Sequence, residues 1–294
     1  MATHQDLIET LTATGNYKVI RRLEPVAYYH EDAAVEKKIG LYLDTEATGM
    51  ELGVDRIIEL AMVPFEYDAE GRLYRILPAF NAFQDPGMPI PPFITGITGI
   101  TDEMVAGHSI DLDQVAAVLE GVSIIIAHNA RFDRPFVETL HAGFESIPWA
   151  CSIADINWNA EGFEGVKLEY LAYKHGFFYE GHRATVDCMA GIELLSQRLP
   201  SGDLALKRLL DSAGRTDVRL WAERAPFEMK DRLRLRGYRW SPGGDGARKA
   251  WYRDLPEDQV DEELLFLNRE VYTRAVSTLP MDRFDATLRY SNRL

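Results

Sequence analysis

Three consecutive isoleucines within residues 123–127 constrain the fold of this chain more than any other segment. The run is short and apolar, which is typical of a buried β-strand. A strand with apolar side chains on both faces occurs where helices cover both sides of a sheet. We therefore expect an α/β fold in which this strand lies inside the sheet.

The neighbouring segments predict the other elements of that sheet. Residues 39–43, 56–65 and 72–80 predict three successive strands that begin the sheet in antiparallel fashion, with Glu70-Gly71 as a turn. A proline-rich loop over 86–92 follows. The remaining predicted elements are helices over 111–119, 130–141, 168–175 and 185–199, and a short strand near 149–151. This order favours a mixed sheet flanked by helices.

Composition changes beyond Leu199-Pro200-Ser201-Gly202, where the chain becomes rich in arginine and tryptophan. We predict three parts: an N-terminal extension over 1–37, a main domain over 38–200 and a basic C-terminal module over 201–294. In the module, residues 236–252 predict a β-hairpin with a glycine-rich loop, and residues 261–277 predict a final helix. The module is thus expected to be a small α+β unit.

The net charge of −14 is unevenly distributed. Residues 1–200 carry −16, whereas residues 207–253 carry +7. An acidic body binds nucleic acid poorly unless cations or a basic appendage neutralise the phosphates. This chain has a basic appendage in the C-terminal module.

Several classes of protein are disfavoured by composition. No apolar run approaches the ~18 residues of a membrane span, and the N-terminus does not resemble a signal peptide. The two cysteines, Cys151 and Cys188, cannot form a disulfide framework or a four-ligand zinc site. We expect a cytoplasmic protein with reduced thiols and no membrane partner.

Two carboxylates follow the first predicted strand of the main domain. Asp44 and Glu46 lie at positions i and i+2, so their side chains point to the same face. Such a pair repels itself unless a cation lies between the two groups. Carboxylate oxygens suit hard cations such as Mg²⁺ or Mn²⁺.

Two later segments carry further candidate residues. Asp133 lies in the first turns of the helix after the isoleucine-rich strand, where the helix dipole alone would favour a carboxylate. His182 lies in a glycine-flanked loop, and Asp187 follows it near the start of the next helix. A histidine above a metal site can take a proton from an attacking water.

Together these segments resemble the three motifs of the DEDDh family of 3′→5′ exonucleases, especially its polymerase-associated proofreading branch. Asp44-Thr45-Glu46 corresponds to the first motif, residues 129–133 to the second and residues 182–187 to the third. Residues 93–101 also resemble the segment between the first two motifs. Ala47 departs from the pattern, since many members carry a second threonine there, but it is not an expected ligand. The resemblance covers roughly residues 38–200.

The resemblance implies a ribonuclease H-like fold and a two-metal hydrolysis that releases nucleoside 5′-monophosphates. Asp44, Glu46, Asp133 and Asp187 would hold two Mg²⁺ or Mn²⁺ ions, and His182 would be the general base. We expect single-stranded DNA 3′ ends as the substrate and a DNA polymerase subunit as a candidate partner. An exoribonuclease is the alternative, and a weakly catalytic adaptor is a second.

Nucleic acid is expected to contact residues beside the acids and in the basic module. The first group is Thr45, Thr48, Asn129 and Phe132, and the second is Arg236, Arg239, Arg248 and Lys249. Aromatic residues of the hairpin offer stacking surfaces to bases. The same aromatic residues could instead form the core of the module, and the sequence leaves both alternatives open.

Overall fold

The computed structural model of the protein describes residues 3–31, 34–244, 247–272 and 278–294. Within these residues the chain forms two compact units. The first comprises residues 1–213 and 290–294, and the second comprises residues 214–289. In the described parts of the chain, no helix is both long and apolar enough to cross a membrane.

A six-stranded mixed sheet forms the centre of the first unit. The strands of this unit are β1 (Arg21–Arg22), β2 (Lys38–Ala47), β3 (Ile57–Tyr67), β4 (Leu73–Ile76), β5 (Phe80–Phe83), β6 (Val122–Ala127), β7 (Trp149–Cys151) and β8 (Phe177–Phe178). The strands of the six-stranded sheet follow the order β4-β3-β2-β6-β7, and β5 pairs with the free part of β3. Within this sheet, β2, β6 and β7 run parallel to one another, whereas β3 is antiparallel to its neighbours. The predicted mixed sheet flanked by helices is confirmed.

Nine helices of the first unit are described. They are α1 (His4–Ala13), α2 (Pro92–Thr98), α3 (Asp102–Val105), α4 (Leu112–Leu119), α5 (Ala130–Leu140), α6 (Gly143–Ser146), α7 (Leu168–Lys174), α8 (Ala184–Ser196) and α9 (Ala205–Ala213). The helix α4 begins where predicted, because the Asp111 side chain accepts hydrogen bonds from the backbone N–H groups of Asp113 and Gln114.

The isoleucine-rich strand is buried as the sequence predicts. Ile125 and Ile126 have no exposed surface, and Ile124 is 4% exposed. The helix α8 packs closely on the sheet, because a Cβ at Gly191 would lie only 2.0 Å from the ring of Tyr42 on β2. Glycine is therefore required at this helix–sheet contact, which fixes the position of α8 over β2.

Three details differ from the sequence-based prediction. The predicted strand over 72–80 is two strands, β4 and β5, that pair with different parts of β3. The proline-rich loop ends at Pro91, since Pro92 occupies the first turn of α2, where a missing N–H is harmless. The chain divides between Ala213 and Gly214 rather than near residue 200, because the buried face of α9 belongs to the first unit.

Part of the N-terminal segment is attached to the sheet region of the first unit. The strand β1 pairs in parallel with β8, and Tyr28 forms an isolated bridge with Arg75 of β4. The helix α1 is exposed along its length and begins with a capping box formed by Thr3 and Asp6.

The second unit is a four-stranded antiparallel sheet with short helices, which agrees with the predicted α+β module. Its elements are β9 (Asp217–Ala222), α10 (Lys230–Leu235), β10 (Arg239–Gly244), β11 (Ala247–Pro256), α11 (Val260–Phe266) and β12 (Met281–Phe284). The sheet order is β10-β11-β9-β12. The predicted hairpin is β10 and β11, and residues 245 and 246 of its loop lie outside the described residues. The predicted helix over 261–277 corresponds to α11 and a π-helical turn, Leu267–Val271, while residues 273–277 also lie outside.

Candidate active site

The central strand β2 carries the first two carboxylates of the site. Leu41, Tyr42 and Leu43 are buried in the sheet, and the chain then reaches Asp44 and Glu46, which are half-buried. Antiparallel pairing with β3 places Glu46 directly opposite Glu59, and a β-bulge follows Glu46. The strand therefore holds two carboxylates at the boundary between the core and solvent.

The junction between β6 and α5 brings Asp133 to the same strand. Asn129 adopts a left-handed conformation, with φ of 84°, and the chain turns there into the helix. Asp133 is 2% exposed. Its Oδ1 accepts hydrogen bonds of 3.0 Å from the Thr45 N–H and 2.7 Å from the Thr45 hydroxyl. Asp133 is thus anchored to the residue between Asp44 and Glu46.

The start of α8 supplies Asp187 and the residue before the helix cap supplies His182. Asp187 accepts a hydrogen bond of 3.1 Å from the backbone N–H of Arg183. His182 has φ of 66°, a left-handed conformation that is uncommon for a residue with a Cβ. The turn therefore directs His182 away from the regular path of the helix.

Three of the predicted acidic residues converge. One carboxylate oxygen from each of Asp44, Glu46 and Asp187 lies within 4.8 Å of the others. These three residues and His182 line one cleft of about 370 Å³. Asp133 does not belong to the group defined by that distance. It is hydrogen-bonded to Thr45, which lies between Asp44 and Glu46 in the sequence. The structure thus brings carboxylates from distant segments of the chain to one cleft.

Burial raises the pKa values of these acids, and repulsion from neighbouring carboxylates adds to the rise at Asp44 and Glu46. Burial, followed by the nearby carboxylates, raises the pKa of Glu46 to about 8. Burial raises the pKa of Asp133 to about 7, against the opposing effect of the Thr45 hydrogen bonds. The pKa values of Asp44 and Asp187 are also raised, with burial as the main cause.

The donor set of this cluster fits a divalent cation. Carboxylate oxygens are the ligands that Mg²⁺, Mn²⁺ and Ca²⁺ prefer, and nitrogen and sulfur ligands are not part of the group. A cation between the carboxylates would remove the repulsion that raises their pKa values. Apart from Asp44, Glu46 and Asp187, the described residues contain no other group of three or more potential ligands that meets the same distance.

An ion pair between buried Glu59 and partly exposed Arg183 lies beside the cluster and was not predicted from the sequence. Glu59 on β3 is 1% exposed and accepts hydrogen bonds of 3.2 and 3.1 Å from the Arg183 guanidinium. It also accepts bonds from the Ala184 N–H and the Asn81 amide. Part of the signal was available, since Glu59 is the only charged residue in the otherwise apolar run 57–65. The pair fixes the chain immediately after His182.

Other residues of the cleft differ in what they can do. His128 accepts a hydrogen bond at Nδ1 from the Ser152 hydroxyl and donates from Nε2 to the Val166 carbonyl, both at 2.8 Å. Burial lowers the pKa of His128 to about 4, so the imidazole is neutral, and both of its ring nitrogens are engaged in hydrogen bonds. Lys167 is exposed, lines the cleft and brings a positive charge to it, and the sequence analysis did not single it out.

The residues predicted to contact nucleic acid beside the acids have different environments. Thr45 and Thr48 are buried, and the Thr48 hydroxyl donates to Asp55 at 2.9 Å. Asn129 lines the acidic cleft and a second cleft beside it. Phe132 lines that second cleft and packs against the core. Hence Asn129 and Phe132 remain accessible to a substrate, whereas the Thr48 side chain does not line either cleft.

Most of the predicted cationic contacts in the second unit are already paired with acids. Arg239 binds Asp254 at 2.7 Å, Arg248 binds Glu223 at 3.0 Å, and Arg236 binds Glu263 at 3.2 Å. Ion pairs within the same unit compensate these charges. The net charge of +7 over residues 207–253 therefore overstates how much positive charge is available to a nucleic acid. Among the described residues, Lys249 has no ion pair.

The aromatic residues of the hairpin divide between core and surface. Tyr238 and Trp251 are 3% and 8% exposed and belong to the core of the second unit. Trp240 packs against Trp251 with ring centroids 5.5 Å apart, but it is 48% exposed. The core alternative therefore holds for Tyr238 and Trp251, and Trp240 offers a surface for stacking.

Comparison with known proteins finds matches over the segment that carries the residues of this cleft. A family model described as "Exonuclease", of the RNase T type, matches residues 41–195. DNA polymerase III of the PolC type from Listeria monocytogenes is 37% identical over 177 residues, which cover 56% of this chain and 12% of that protein. The Staphylococcus aureus protein of the same name is 30% identical over 180 residues, with the same two coverages. The chain thus spans only 12% of the length of these relatives.

The fold is shared with a solved exonuclease. The zinc-bound complex of E. coli exonuclease I with single-stranded DNA matches 75% of this chain and 63% of that chain, with a TM-score of 0.50 and 14% identity. At this level of identity the likeness concerns the fold alone. It confirms the expected ribonuclease H-like architecture of the mixed sheet.

Proposed function

Because the chain belongs to the exonuclease family whose model matches residues 41–195, we propose that it is a metal-dependent 3′→5′ DNA exonuclease. The observation that carries the proposal is the convergence of Asp44, Glu46 and Asp187 within 4.8 Å, in a cleft that His182 also lines. These residues come from separate segments of the chain, and their meeting has no evident structural purpose, since repelling carboxylates destabilise a fold.

Four carboxylates would hold the cations of this site. Asp44, Glu46 and Asp187 provide the converging oxygens, and Asp133 provides its second oxygen while Oδ1 stays bonded to Thr45. Two Mg²⁺ or Mn²⁺ ions bound there would neutralise the phosphate and stabilise the leaving 3′ oxygen. Because the pKa values of Glu46 and Asp133 are raised to about 8 and about 7 without a cation, binding would displace protons and should tighten as pH rises.

His182 is proposed as the general base. It lines the acidic cleft and lies between Gly181 and Arg183, so the loop can present the imidazole to the attacking water. His128 is less suited to this role, because both of its ring nitrogens are already hydrogen-bonded. Proton removal from the water by His182 would produce the nucleophile that attacks the terminal phosphodiester.

The preference for DNA rests on the relatives. The matched segments belong to PolC-type DNA polymerase III, which favours a proofreading or repair role, a cytoplasmic location and a polymerase subunit as partner. Exposed Lys167 in the cleft is suited to contact a substrate phosphate. In the second unit, Trp240 and Lys249 are the residues best suited to hold single-stranded nucleic acid.

A comparison of end-labelled oligonucleotides tests the proposal. With Mg²⁺ or Mn²⁺, we expect 3′-labelled single-stranded DNA to lose its label as a mononucleotide at once, and 5′-labelled DNA to shorten stepwise. Asp187→Asn, which preserves size and removes one charge, should be inactive on both. Faster digestion of matched RNA would make the chain an exoribonuclease. Loss of 5′ label first, or equal activity of Asp187→Asn, would refute the proposal.

A further inference from the structure

The last five residues return to the first unit after the second unit is complete. The Tyr290 hydroxyl donates a hydrogen bond of 2.7 Å to Asp155, and its ring packs against the core of the sheet. Ser291 and Arg293 then donate hydrogen bonds to Glu138 of α5, and residues 290–294 belong to the first unit by their contacts. We call residues 290–294 the tail.

A buried ion pair on α5 anchors the tail. Arg134 has no exposed surface and binds Glu138 at 2.7 Å. The Ser291 hydroxyl donates to Glu138 at 2.6 Å, and Arg293 donates to Glu138 and to the Glu145 carbonyl, both at 3.0 Å. Asn292, between these two anchors, is therefore held in a defined position although its own side chain is exposed.

Asn292 lines a second cleft of about 370 Å³ that adjoins the acidic cleft. The two clefts share Asn129, and Phe132 of the second cleft directly precedes Asp133, the proposed fourth metal ligand. The walls of the second cleft include the apolar side chains of Met50, Leu52 and Phe136. A nucleotide whose phosphate lies at the acids could extend from the first cleft into the second.

The chemistry of the second cleft suits a nucleobase. Apolar and aromatic walls accept the flat faces of a base, and stacking is worth ~1–3 kcal/mol per base. A carboxamide can donate and accept at the same base edge, as asparagine does with adenine. The residues described as lining this cleft include no carboxylate, in contrast to the acidic cleft. The second cleft is therefore the less repulsive of the two for a polyanion.

We propose that the tail completes a nucleobase subsite in the second cleft, and that Asn292 contacts the edge of the base. The tail lies outside residues 41–195, so this contribution comes from a segment beyond the family match. The proposal rests on the proposed exonuclease function for the identity of the ligand, but the subsite binds its base whether or not hydrolysis follows.

Binding of nucleoside 5′-monophosphates to the full-length protein tests the subsite directly. By calorimetry in Mg²⁺, we expect binding by the wild type with unequal affinities for dAMP, dCMP, dGMP and dTMP. Asn292→Ala should weaken binding of the preferred nucleotide by ~5–50-fold, about the discrimination of one good base contact. The four nucleotides should then bind with more similar affinities. Asn159→Ala, an exposed asparagine of the same unit, is the matched control and should leave all four unchanged.

The outcomes separate this subsite from the proposed activity. If the protein hydrolyses no oligonucleotide, yet Asn292→Ala makes the affinities for the four monophosphates more equal, the subsite is supported and the exonuclease proposal fails. If DNA is degraded but Asn292→Ala leaves the four affinities in their wild-type ratio, the tail does not contact the base and this inference is overturned. No detectable binding of any monophosphate by the wild type would also overturn it.

Discussion

Replacement of Glu46 by glutamine should stabilise the protein in the absence of divalent cations. The Glu46 pKa of about 8 lies above its usual value of 4.5, because burial and facing carboxylates disfavour the ionised form. Each pH unit of such a rise is worth ~1.4 kcal/mol, so ionisation of Glu46 costs the metal-free fold up to roughly 5 kcal/mol. Solvent in the cleft reduces this free-energy cost. We therefore expect Glu46→Gln to increase the free energy of unfolding by ~2–3 kcal/mol.

The gain should depend on pH with a defined sign. Since the folded-state pKa is raised, wild-type stability falls as pH increases from about 4.5 through about 8. The glutamine variant does not ionise, so its advantage should be near zero at pH 4 and largest above pH 8. For a unit of this size, ~2–3 kcal/mol corresponds to a melting temperature ~4–12 °C higher.

Thermal unfolding in EDTA at pH 4, 6 and 8.5 measures this difference. Saturating Mg²⁺ should reverse the order of stability at pH 8.5, because the wild type gains a cation that the variant binds poorly. Glu120→Gln changes an exposed glutamate away from the cluster and should have no effect. A metal-free Glu46→Gln protein that melts below the wild type at pH 8.5 would refute the argument from charge repulsion.

Substitutions at four further positions test other parts of the site and the second unit. His182→Ala should lower the single-turnover rate by ~10²–10⁴-fold while Mn²⁺ still raises the melting temperature; an unchanged rate would exclude the base assignment. Arg183→Ala leaves buried Glu59 without its cationic partner, although the Ala184 N–H and the Asn81 amide still donate to it, and should destabilise the fold by ~1–3 kcal/mol, measured by urea unfolding, with Arg183→Lys intermediate. Trp251→Ala should cost ~3–5 kcal/mol of stability as a core residue, whereas Trp240→Ala should mainly weaken single-stranded DNA binding, by ~1–3 kcal/mol in a salt-titrated binding assay.

The strands that carry the site could be predicted because each contains a short apolar run that has to be buried. The isoleucines of β6 leave no polar face, and the apolar run before Asp44 ends at the carboxylates, so both strands and the position of the acids follow from local pattern. The boundary at Ala213 could not be predicted in this way. The amphipathic helix α9 has an apolar face that fits either unit, and only tertiary contacts assign it.

Partners distant in sequence account for most of what the sequence analysis missed. Glu59 and Arg183 are 124 residues apart, and nothing local to either residue indicates the pairing. The arginines of the hairpin appear as a positive surface in the sequence, but Asp254, Glu223 and Glu263 neutralise them in the fold. The return of Asn292 to the first unit likewise depends on contacts to α5 that no periodicity encodes.

The position of Mn²⁺ in crystals of the full-length protein tests the central claim most directly. Anomalous scattering should place Mn²⁺ between Asp44, Glu46 and Asp187, at ~2.0–2.2 Å from carboxylate oxygens, and a second ion ~3.5–4 Å away near Asp133. Crystals of Asp187→Asn should lose at least one of the two peaks. Manganese-dependent cleavage by a protein whose crystals contain no anomalous peak at these carboxylates would contradict the account.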